Sequence, residues 1–292
     1  MVDRKSAIRN LVIFAAAAVS AGWIGHGLDI VAGGPPGERP GQLLWIVGPL
    51  LTALLLRGFA GDGWADSGLR PGLARNAAWY LFSISLFPIC VAVTLLAGKV
   101  SGMISLADLS SGGIGHFLYL VSLALIPSFI KNIFEEFAWR GYLAPRISSI
   151  GVPDLAGHLL VGLVWAAWHI PYYLFFLDRS SLAAYSPLGL PLFIAMMFAG
   201  VVPLSFVYGE LRMLTGSVWP VVLLHTVSNA VADPLFLHGY LRIAPEADIL
   251  LSPGPGSVIS IVLNAAIGLW LYRCRTIMAD SNKSQAHQAA QE

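Results

Sequence analysis

The chain has 292 residues, of which 57% are hydrophobic and only 11% are Asp, Glu, Lys or Arg. Soluble domains carry about 25% charged residues, so this composition excludes a soluble enzyme and a disordered protein. The formal net charge of +1 provides no basic surface for nucleic acid. Because a helix needs about 20 apolar residues to cross a bilayer, the composition predicts an all-α polytopic membrane protein.

Apolar segments bounded by Gly, Pro and charged residues are predicted to cross the membrane eight times. In chain order they are residues 9–31, 42–60, 76–98, 116–142, 156–177, 187–209, 217–238 and 257–273. They form a single transmembrane domain over residues 1–275, with short Gly- and Pro-rich connections. Residues 276–292 are rich in Ala, Gln and Ser, which predicts a disordered polar tail.

The basic residues are distributed unequally between the two sides of these segments. One side carries twelve of the 17 Lys and Arg residues, the other carries four, and Lys131 lies inside a segment. The twelve are Arg4, Lys5, Arg9, Arg57, Arg70, Arg75, Arg140, Arg146, Arg212, Arg273, Arg275 and Lys283; the four are Arg39, Lys99, Arg179 and Arg242. Because cytoplasmic loops are enriched in Lys and Arg, we expect both termini in the cytoplasm, at a bacterial inner membrane.

The first segment has two interpretations. Its basic residues, the apolar run from Leu11 and the tripeptide Val19-Ser20-Ala21 are typical of a cleavable signal peptide. The run continues through Trp23 and Ile24, so it is long enough to span the bilayer. We therefore favour a retained first helix, and the remaining topology is the same under either interpretation.

The fourth segment contains the densest group of charged residues. An ionisable side chain at membrane depth costs about 2.5–3.5 kcal/mol, so a cluster there indicates a functional site. Glu135 and Glu136 are adjacent and point about 100° apart on a helix. Arg140 lies one turn after Glu136, and Lys131 lies one turn before Glu135. The alternative, a charged helix end that reaches the cytoplasmic interface, explains Arg140 better than the glutamates.

The fifth and seventh segments each carry polar residues that an apolar helix does not need. His169 lies four residues after Trp165 and two before Pro171, which can bend the helix at that point. His225 and Asn229 are four residues apart and project from one helix face. Each group taken alone is also consistent with interhelical hydrogen bonds that only stabilise packing.

Together the three groups resemble the motifs of the CAAX protease and bacteriocin-processing family. This family is also called Abi, and it includes the type II CAAX prenyl endopeptidases. The chain carries Glu-Glu-x-x-x-Arg, then aromatic-x-x-x-His, then His-x-x-x-Asn, in this order within a core at residues 116–238. The matching residues are Glu135, Glu136, Arg140, Trp165, His169, His225 and Asn229. The second motif usually begins with Phe, so Trp165 is a conservative departure.

The resemblance implies an intramembrane endopeptidase of the glutamate type. Its substrate would be a membrane-associated or lipidated peptide or protein. By the same resemblance, Glu135 is the general base that activates water, assisted by His169. His225 and Asn229 would stabilise the oxyanion of the tetrahedral intermediate.

The location of the active site follows from the assigned topology. Glu135, His169 and His225 fall in the cytoplasmic half or near the middle of their segments, so they can meet in one cavity. Hydrolysis needs water below the lipid surface, which predicts a polar cavity between the fourth, fifth and seventh segments, open to the cytoplasm. The resemblance gives Glu136 and Arg140 a supporting role, in which they hold the helix end and the local charge.

A metal ion is an open alternative for this site. Glu135, His169 and His225 could ligate Zn²⁺ and leave one position for water. The chain contains no His-Glu-x-x-His sequence, and Asn229 is a poor zinc ligand, so we favour a site without a metal or another cofactor. The expected partners are membrane lipids and a peptide or protein substrate that arrives from the membrane or the cytoplasmic side.

Two further functions would use the same residues. The Glu and His side chains could form the proton relay of a proton-coupled transporter, although the sequence shows no inverted repeat. A catalytically silent membrane scaffold or immunity protein is the other alternative. Such a relative is expected to lose a motif residue, whereas all the core positions are present here.

Overall fold

A computed structural model of the chain describes residues 4–33, 40–106, 113–185 and 188–289. The α-helices are α1 Arg4–Ala32, α2 Gly41–Phe59, α3 Ala77–Val100, α4 Gly113–Ala138, α5 Ala144–Ser149, α6 Asp154–Pro171, α7 Arg179–Tyr185, α8 Leu190–Thr215, α9 Trp219–Leu237, α10 Asp248–Leu251 and α11 Val258–Ala289. Two π-helical turns, Trp139–Leu143 and Tyr172–Phe176, follow α4 and α6, and a 3₁₀ turn at Pro245–Ala247 precedes α10. Strands β1 Ile104–Leu106 and β2 Leu241–Ile243 pair antiparallel, with Ile104 opposite Ile243.

Eight helical stretches within the described ranges are long and apolar enough to cross a bilayer. They are Arg4–Ala32, Gly41–Phe59, Ala77–Val100, Gly113–Ser149, Asp154–Phe176, Leu190–Thr215, Trp219–Leu237 and Val258–Ser281. Each of them overlaps one predicted segment. The predicted all-α polytopic architecture is confirmed, and the chain is an integral membrane protein.

The connections between these helices divide the bundle into two faces. The terminal face is formed by the start of α1, the end of α11 and the connections 60–76, 150–153 and 216–218. On this face the amide of Val218 donates a hydrogen bond to the carbonyl of Gly68 at 3.0 Å. The distal face contains the β1–β2 ribbon and the connections around residues 177–178 and 238–257.

Helix α8 extends six residues beyond its predicted end at residue 209. This extension places Glu210 inside a helix and leaves it fully buried. The burial is tolerated because His158 Nε2 lies 2.9 Å from one carboxylate oxygen and Arg275 Nε lies 2.6 Å from the other. The helix ends at Gly216, whose φ of 63° is a left-handed conformation that glycine adopts readily.

The last helix differs from the predicted tail. Helix α11 continues to Ala289, whereas the composition predicts disorder from residue 276. Ala and Gln, which recur in this stretch, are strong helix formers. Residues 290–292 of the predicted tail, Arg39 of the charge count and residue 187 at the predicted start of the sixth segment lie outside the described residues.

Candidate active site

The fourth transmembrane helix changes its geometry directly after the two glutamates. Glu135 is 2% exposed, and Glu136 and Arg140 are fully buried. Arg140 belongs to the π-helical turn Trp139–Leu143, a local widening that recurs at functional sites. Within this turn the carbonyl of Gly141 accepts a hydrogen bond from Arg57 Nη2 of α2. The end of α4 is therefore fixed against its neighbour.

Glu136 holds His225 and Arg140 in place. Arg140 Nη1 donates to both carboxylate oxygens of Glu136 at 3.1 Å. His225 Nδ1 lies 2.8 Å from Glu136 Oε1. Since an ionised carboxylate only accepts hydrogen bonds, the proton of this contact lies on Nδ1, and Nε2 of His225 is the nitrogen left for other partners.

Arg140 also packs against two aromatic rings of the site. Its guanidinium carbon lies 4.3 Å from the ring centroid of Trp165 and 4.8 Å from that of Tyr208. The rings of Trp165 and Tyr208 each lie 5.5 Å from the ring of His225. Arg140 is thus surrounded by its carboxylate partner and these rings, which agrees with a supporting role.

The two carboxylate oxygens of Glu135 have different surroundings. Oε2 accepts a hydrogen bond from Trp165 Nε1 at 3.1 Å. Oε1 lies 3.4 Å from the Lys131 ammonium nitrogen, and among the described residues no group hydrogen-bonds to it. Oε1 is therefore the oxygen that is available to accept a proton. The hydrogen bond to Oε2 depends on the tryptophan, because the phenylalanine that usually begins the second motif has no N–H.

His169 has one ring nitrogen engaged by its own helix. Nδ1 donates to the carbonyl of Trp165 at 2.8 Å, so Nε2 is the free nitrogen. Reciprocal hydrogen bonds fix the neighbouring turn: Trp45 Nε1 donates to the Trp168 carbonyl at 2.8 Å, and Trp168 Nε1 donates to the Trp45 carbonyl at 3.0 Å. The second π-helical turn begins directly after Pro171.

Asn229 is oriented by a residue that sequence reasoning did not select. Its Nδ2 donates to Asn132 Oδ1 at 3.1 Å, and Asn132 is fully buried on α4. A carboxamide nitrogen carries two hydrogens, so the second N–H of Asn229 is left for another acceptor. Asn132 lies three residues before Glu135, and a polar residue at that spacing in an apolar segment is a signal that could have identified it.

A cavity of about 390 Å³ lies next to these groups. Lys131, Trp165, His169, His225 and Asn229 line it. Glu135, Glu136 and Arg140 are not among the lining residues, but Glu135 contacts two that are, Lys131 and Trp165. The structure therefore places His169, His225 and Asn229 at one end of a cavity, with Glu135 directly behind its wall.

The cavity extends toward the distal face. Its lining continues through Leu177, Phe236, Asp248 and the segment 252–257, all of which belong to that face. His169 is 15 residues from the start of α6 at Asp154, or roughly 22 Å from the terminal face at 1.5 Å per residue. The cavity therefore runs from the site toward the distal face. The predicted opening to the cytoplasm stays a prediction, because it depends on which face is cytoplasmic.

The residues considered as zinc ligands do not form a ligand set. Among the described residues, no three His, Cys, Asp or Glu side chains converge as metal ligands. The Lys131 ammonium lies beside Oε1 of Glu135, where a cation bound to that oxygen would be repelled. The arrangement does not fit Zn²⁺, and no catalytic step is derived through a metal.

The arrangement of these helices can be compared with known proteins. The model of the family described as "Type II CAAX prenyl endopeptidase Rce1-like" matches residues 117–231. Over these residues the chain is similar to the Rce1-like family. The predicted resemblance is confirmed, and the match contains all seven motif residues as well as Asn132 and Tyr208. None of the curated proteins matches the chain.

The Rce1-like match covers the helices that build the site. It contains most of α4 and α9 and all of α6 and α8. The family is one of CAAX-type endopeptidases, which are hydrolases acting on peptide substrates in a membrane. At this level the family supports a membrane-embedded protease.

Proposed function

We propose that the protein is an intramembrane endopeptidase that hydrolyses a peptide bond in a membrane-associated or lipidated substrate. Glu135 activates the water, and His225 and Asn229 stabilise the oxyanion. The observation that carries the proposal is the convergence of three helices on one cavity end. Glu135 is hydrogen-bonded to Trp165 of α6, and Glu136 of α4 is hydrogen-bonded to His225 of α9.

The first step is attack of water on the scissile carbonyl carbon. Glu135 Oε1 accepts a proton from the water while the water oxygen forms a bond to that carbon. Oε2 stays bound to Trp165 Nε1, which orients the carboxylate. His169 Nε2 is free and can accept a hydrogen bond from the same water.

The oxyanion is stabilised by two donors from α9. The free N–H of Asn229 provides one hydrogen bond. His225 provides the second from Nε2 in its imidazolium form, with Nδ1–H bound to Glu136, and the ring keeps both protons throughout the reaction. A buried carboxylate next to an imidazole stabilises the imidazolium, as in hydrolases with an Asp–His pair.

The second step breaks the peptide bond. The tetrahedral intermediate collapses, the C–N bond cleaves, and the proton held by Glu135 is transferred to the leaving amine. The carboxyl product and the amine product then leave. A new water binds beside the Glu135 carboxylate, which restores the starting state. Atoms and charge balance without a cofactor.

The decisive test is the Glu135→Gln variant, reconstituted in liposomes with membrane-anchored reporter peptides. A general base contributes about 10²- to 10⁴-fold, so we expect kcat to fall by that range while Glu246→Gln, an exposed carboxylate change on the distal face, leaves kcat unchanged. Comparing the N-termini of membrane proteins in cells with the active and Glu135→Gln forms would identify the substrate. Peptide cleavage that survives Glu135→Gln would overturn the proposal, and loss of proton-coupled uptake instead would favour a transporter.

Metal dependence is tested separately. Incubation with 1,10-phenanthroline followed by desalting is expected to leave peptide hydrolysis unchanged, because no three ligand side chains converge among the described residues and the Lys131 ammonium lies beside Glu135 Oε1. Inactivation by the chelator that zinc restores would contradict the metal-free mechanism.

A further inference from the structure

The two ends of the active-site cavity are built differently. Toward the terminal face, the groups behind the site are Glu136 and Arg140, both fully buried, and the rings of Trp165 and Tyr208, which are 2% and 1% exposed. Arg140 also contributes to a second pocket, at the terminal face, together with Arg212 and Asp66. Paired charges and rings therefore separate the catalytic groups from the terminal face.

Toward the distal face the cavity reaches the protein surface. Leu237, which is 42% exposed, and Pro255, which is also exposed, are among its lining residues. The segment 252–257 is held in place by close packing, because a Cβ at Gly200 of α8 would overlap the carbonyl oxygen of Pro255. The rim of the cavity is thus an ordered part of the distal face.

The distribution of Lys and Arg between the two faces indicates how the protein is oriented in the membrane. Among the described residues, the terminal face carries twelve Lys and Arg residues and the distal face three. Without Arg140, which belongs to the candidate site, the counts are eleven and three. Because Lys and Arg are retained on the cytoplasmic side during insertion, this asymmetry predicts that the distal face is extracytoplasmic.

From this geometry and charge asymmetry we infer that the active site receives its substrate from the extracytoplasmic side. The inference rests on the proposed function for the reaction itself. The substrate class is a polypeptide segment that has crossed the membrane or is anchored in its outer half, such as an exported peptide. A cytoplasmic chain end would have to pass the Glu136–Arg140 pair to reach Glu135.

The side chains that line the cavity indicate which kind of substrate segment would fit. Apolar side chains of α3 and α8, including Leu86, Val91, Phe193 and Met197, line the cavity. Carboxylates of Asp233 and Asp248 line it as well. An extended segment with apolar side chains near the scissile bond fits this distribution.

Thiol accessibility tests the direction of access without requiring catalysis. In a chain with Cys90→Ser and Cys274→Ser, Ala232→Cys places a thiol in the cavity wall, and the matched control Ser148→Cys places one at the exposed end of α5 on the terminal face. Intact cells are treated with the impermeant cation methanethiosulfonate ethyltrimethylammonium. We expect Ala232→Cys to be modified in intact cells and Ser148→Cys only after permeabilisation.

The outcomes separate the inference from the proposed function. Modification of Ala232→Cys only after permeabilisation, with Ser148→Cys behaving in the same way, overturns extracytoplasmic access even if peptide hydrolysis is intact. Modification of Ser148→Cys in intact cells overturns the orientation. Modification of Ala232→Cys from outside in a chain that hydrolyses no peptide upholds the access route and refutes the protease. If Ala232→Cys does not accumulate, native Cys90 also lines the cavity and serves as the reporter in a Cys274→Ser chain.

Discussion

The bundle contains two largely buried groups of charged and polar side chains, which differ in the polar atoms that have no partner. The motif cluster consists of Glu135, Glu136, His169, His225 and Asn229. The α11 cluster consists of Asp154, His158, Glu210 and Arg275. Ser205 lies between them, since it accepts a hydrogen bond from Arg140 Nη2 at 3.4 Å and donates one to the His158 carbonyl at 3.2 Å.

The α11 cluster uses its carboxylates within the cluster. Arg275 donates to Glu210 from Nε at 2.6 Å and from Nη2 at 3.1 Å, and to Asp154 from Nη2 at 2.7 Å. His158 Nε2 lies 2.9 Å from Glu210 Oε1. These contacts join α6, α8 and α11 at the terminal face. The α11 cluster therefore holds these three helices together.

The motif cluster leaves several polar groups available. Glu135 Oε1 has an ion pair but no hydrogen bond, and His169 and His225 each use only one ring nitrogen in the contacts described. His169, His225 and Asn229 also line a cavity. Buried charge alone therefore does not distinguish a candidate active site from a cluster that only holds helices together. The distinguishing feature is the presence of unused hydrogen-bond donors and acceptors next to a cavity.

The largest loss of stability is expected when the contacts of the α11 cluster are broken. Arg275→Met leaves Glu210 buried without its main partner, and removing one partner of a buried pair costs about 3–5 kcal/mol. We expect a matching loss of stability, measured by tryptophan fluorescence during unfolding in detergent. The control Arg273→Met, at an exposed position on the same helix, is expected to change little.

The same variant also tests the division between the two clusters. The kcat per folded molecule of Arg275→Met is expected to equal that of the parent chain. A catalytic defect without a loss of stability would show that the α11 cluster belongs to the active site.

For Asn229→Ala we expect the reverse of Arg275→Met, which is a loss of kcat without a matching loss of stability. Removing one oxyanion donor costs about 10²- to 10³-fold in kcat, because the developing negative charge then lacks a hydrogen bond. Asn264→Ala, which changes another amide in the cavity lining, is the matched control and is expected to leave kcat near that of the parent chain. Equal activity of the two variants would remove Asn229 from the mechanism.

Much of the fold and of the candidate site could be predicted from the sequence because charge is scarce in this chain. Glu135 and Glu136 stand out in an apolar segment, and the spacing of His225 and Asn229 places them on one helix face. The eight apolar segments are long and separated by strong breakers, so hydropathy was sufficient to find them.

The other features depend on contacts between distant parts of the chain. In the hydropathy pattern Glu210 indicates a helix end, but α8 continues because Glu210 pairs with His158 and Arg275. The Trp165–Glu135 hydrogen bond joins residues on two helices, and no spacing rule indicates which side chains meet. The contribution of segment 252–257 to the cavity wall was not predicted, because in the sequence this segment is only a Gly- and Pro-rich loop.

A smaller catalytic effect is expected from Trp165→Phe. The substitution keeps an aromatic ring beside His225 and removes the N–H that orients Glu135. A hydrogen bond to a charged group contributes about 1.5–3 kcal/mol, so we expect kcat to fall roughly 10- to 150-fold with little change in KM. Trp219→Phe removes a comparable indole hydrogen bond, to the Leu69 carbonyl at 2.7 Å on the terminal face, and is expected to leave kcat unchanged. Equal kcat values for the two variants would show that the hydrogen bond to Glu135 is only structural.

The smallest change in stability is expected from Lys131→Met, which sharpens the contrast with Arg275. Lys131 also pairs with a buried glutamate, but its side chain is 38% exposed, against 19% for Arg275. Because the Lys131 ammonium is partly solvated, we expect a smaller shift of the unfolding midpoint than for Arg275→Met. A loss of stability as large as that of Arg275→Met would mean that Lys131 also holds helices together. A small loss of stability with a measurable change in peptide hydrolysis would mean that the Lys131 cation beside Glu135 serves the site.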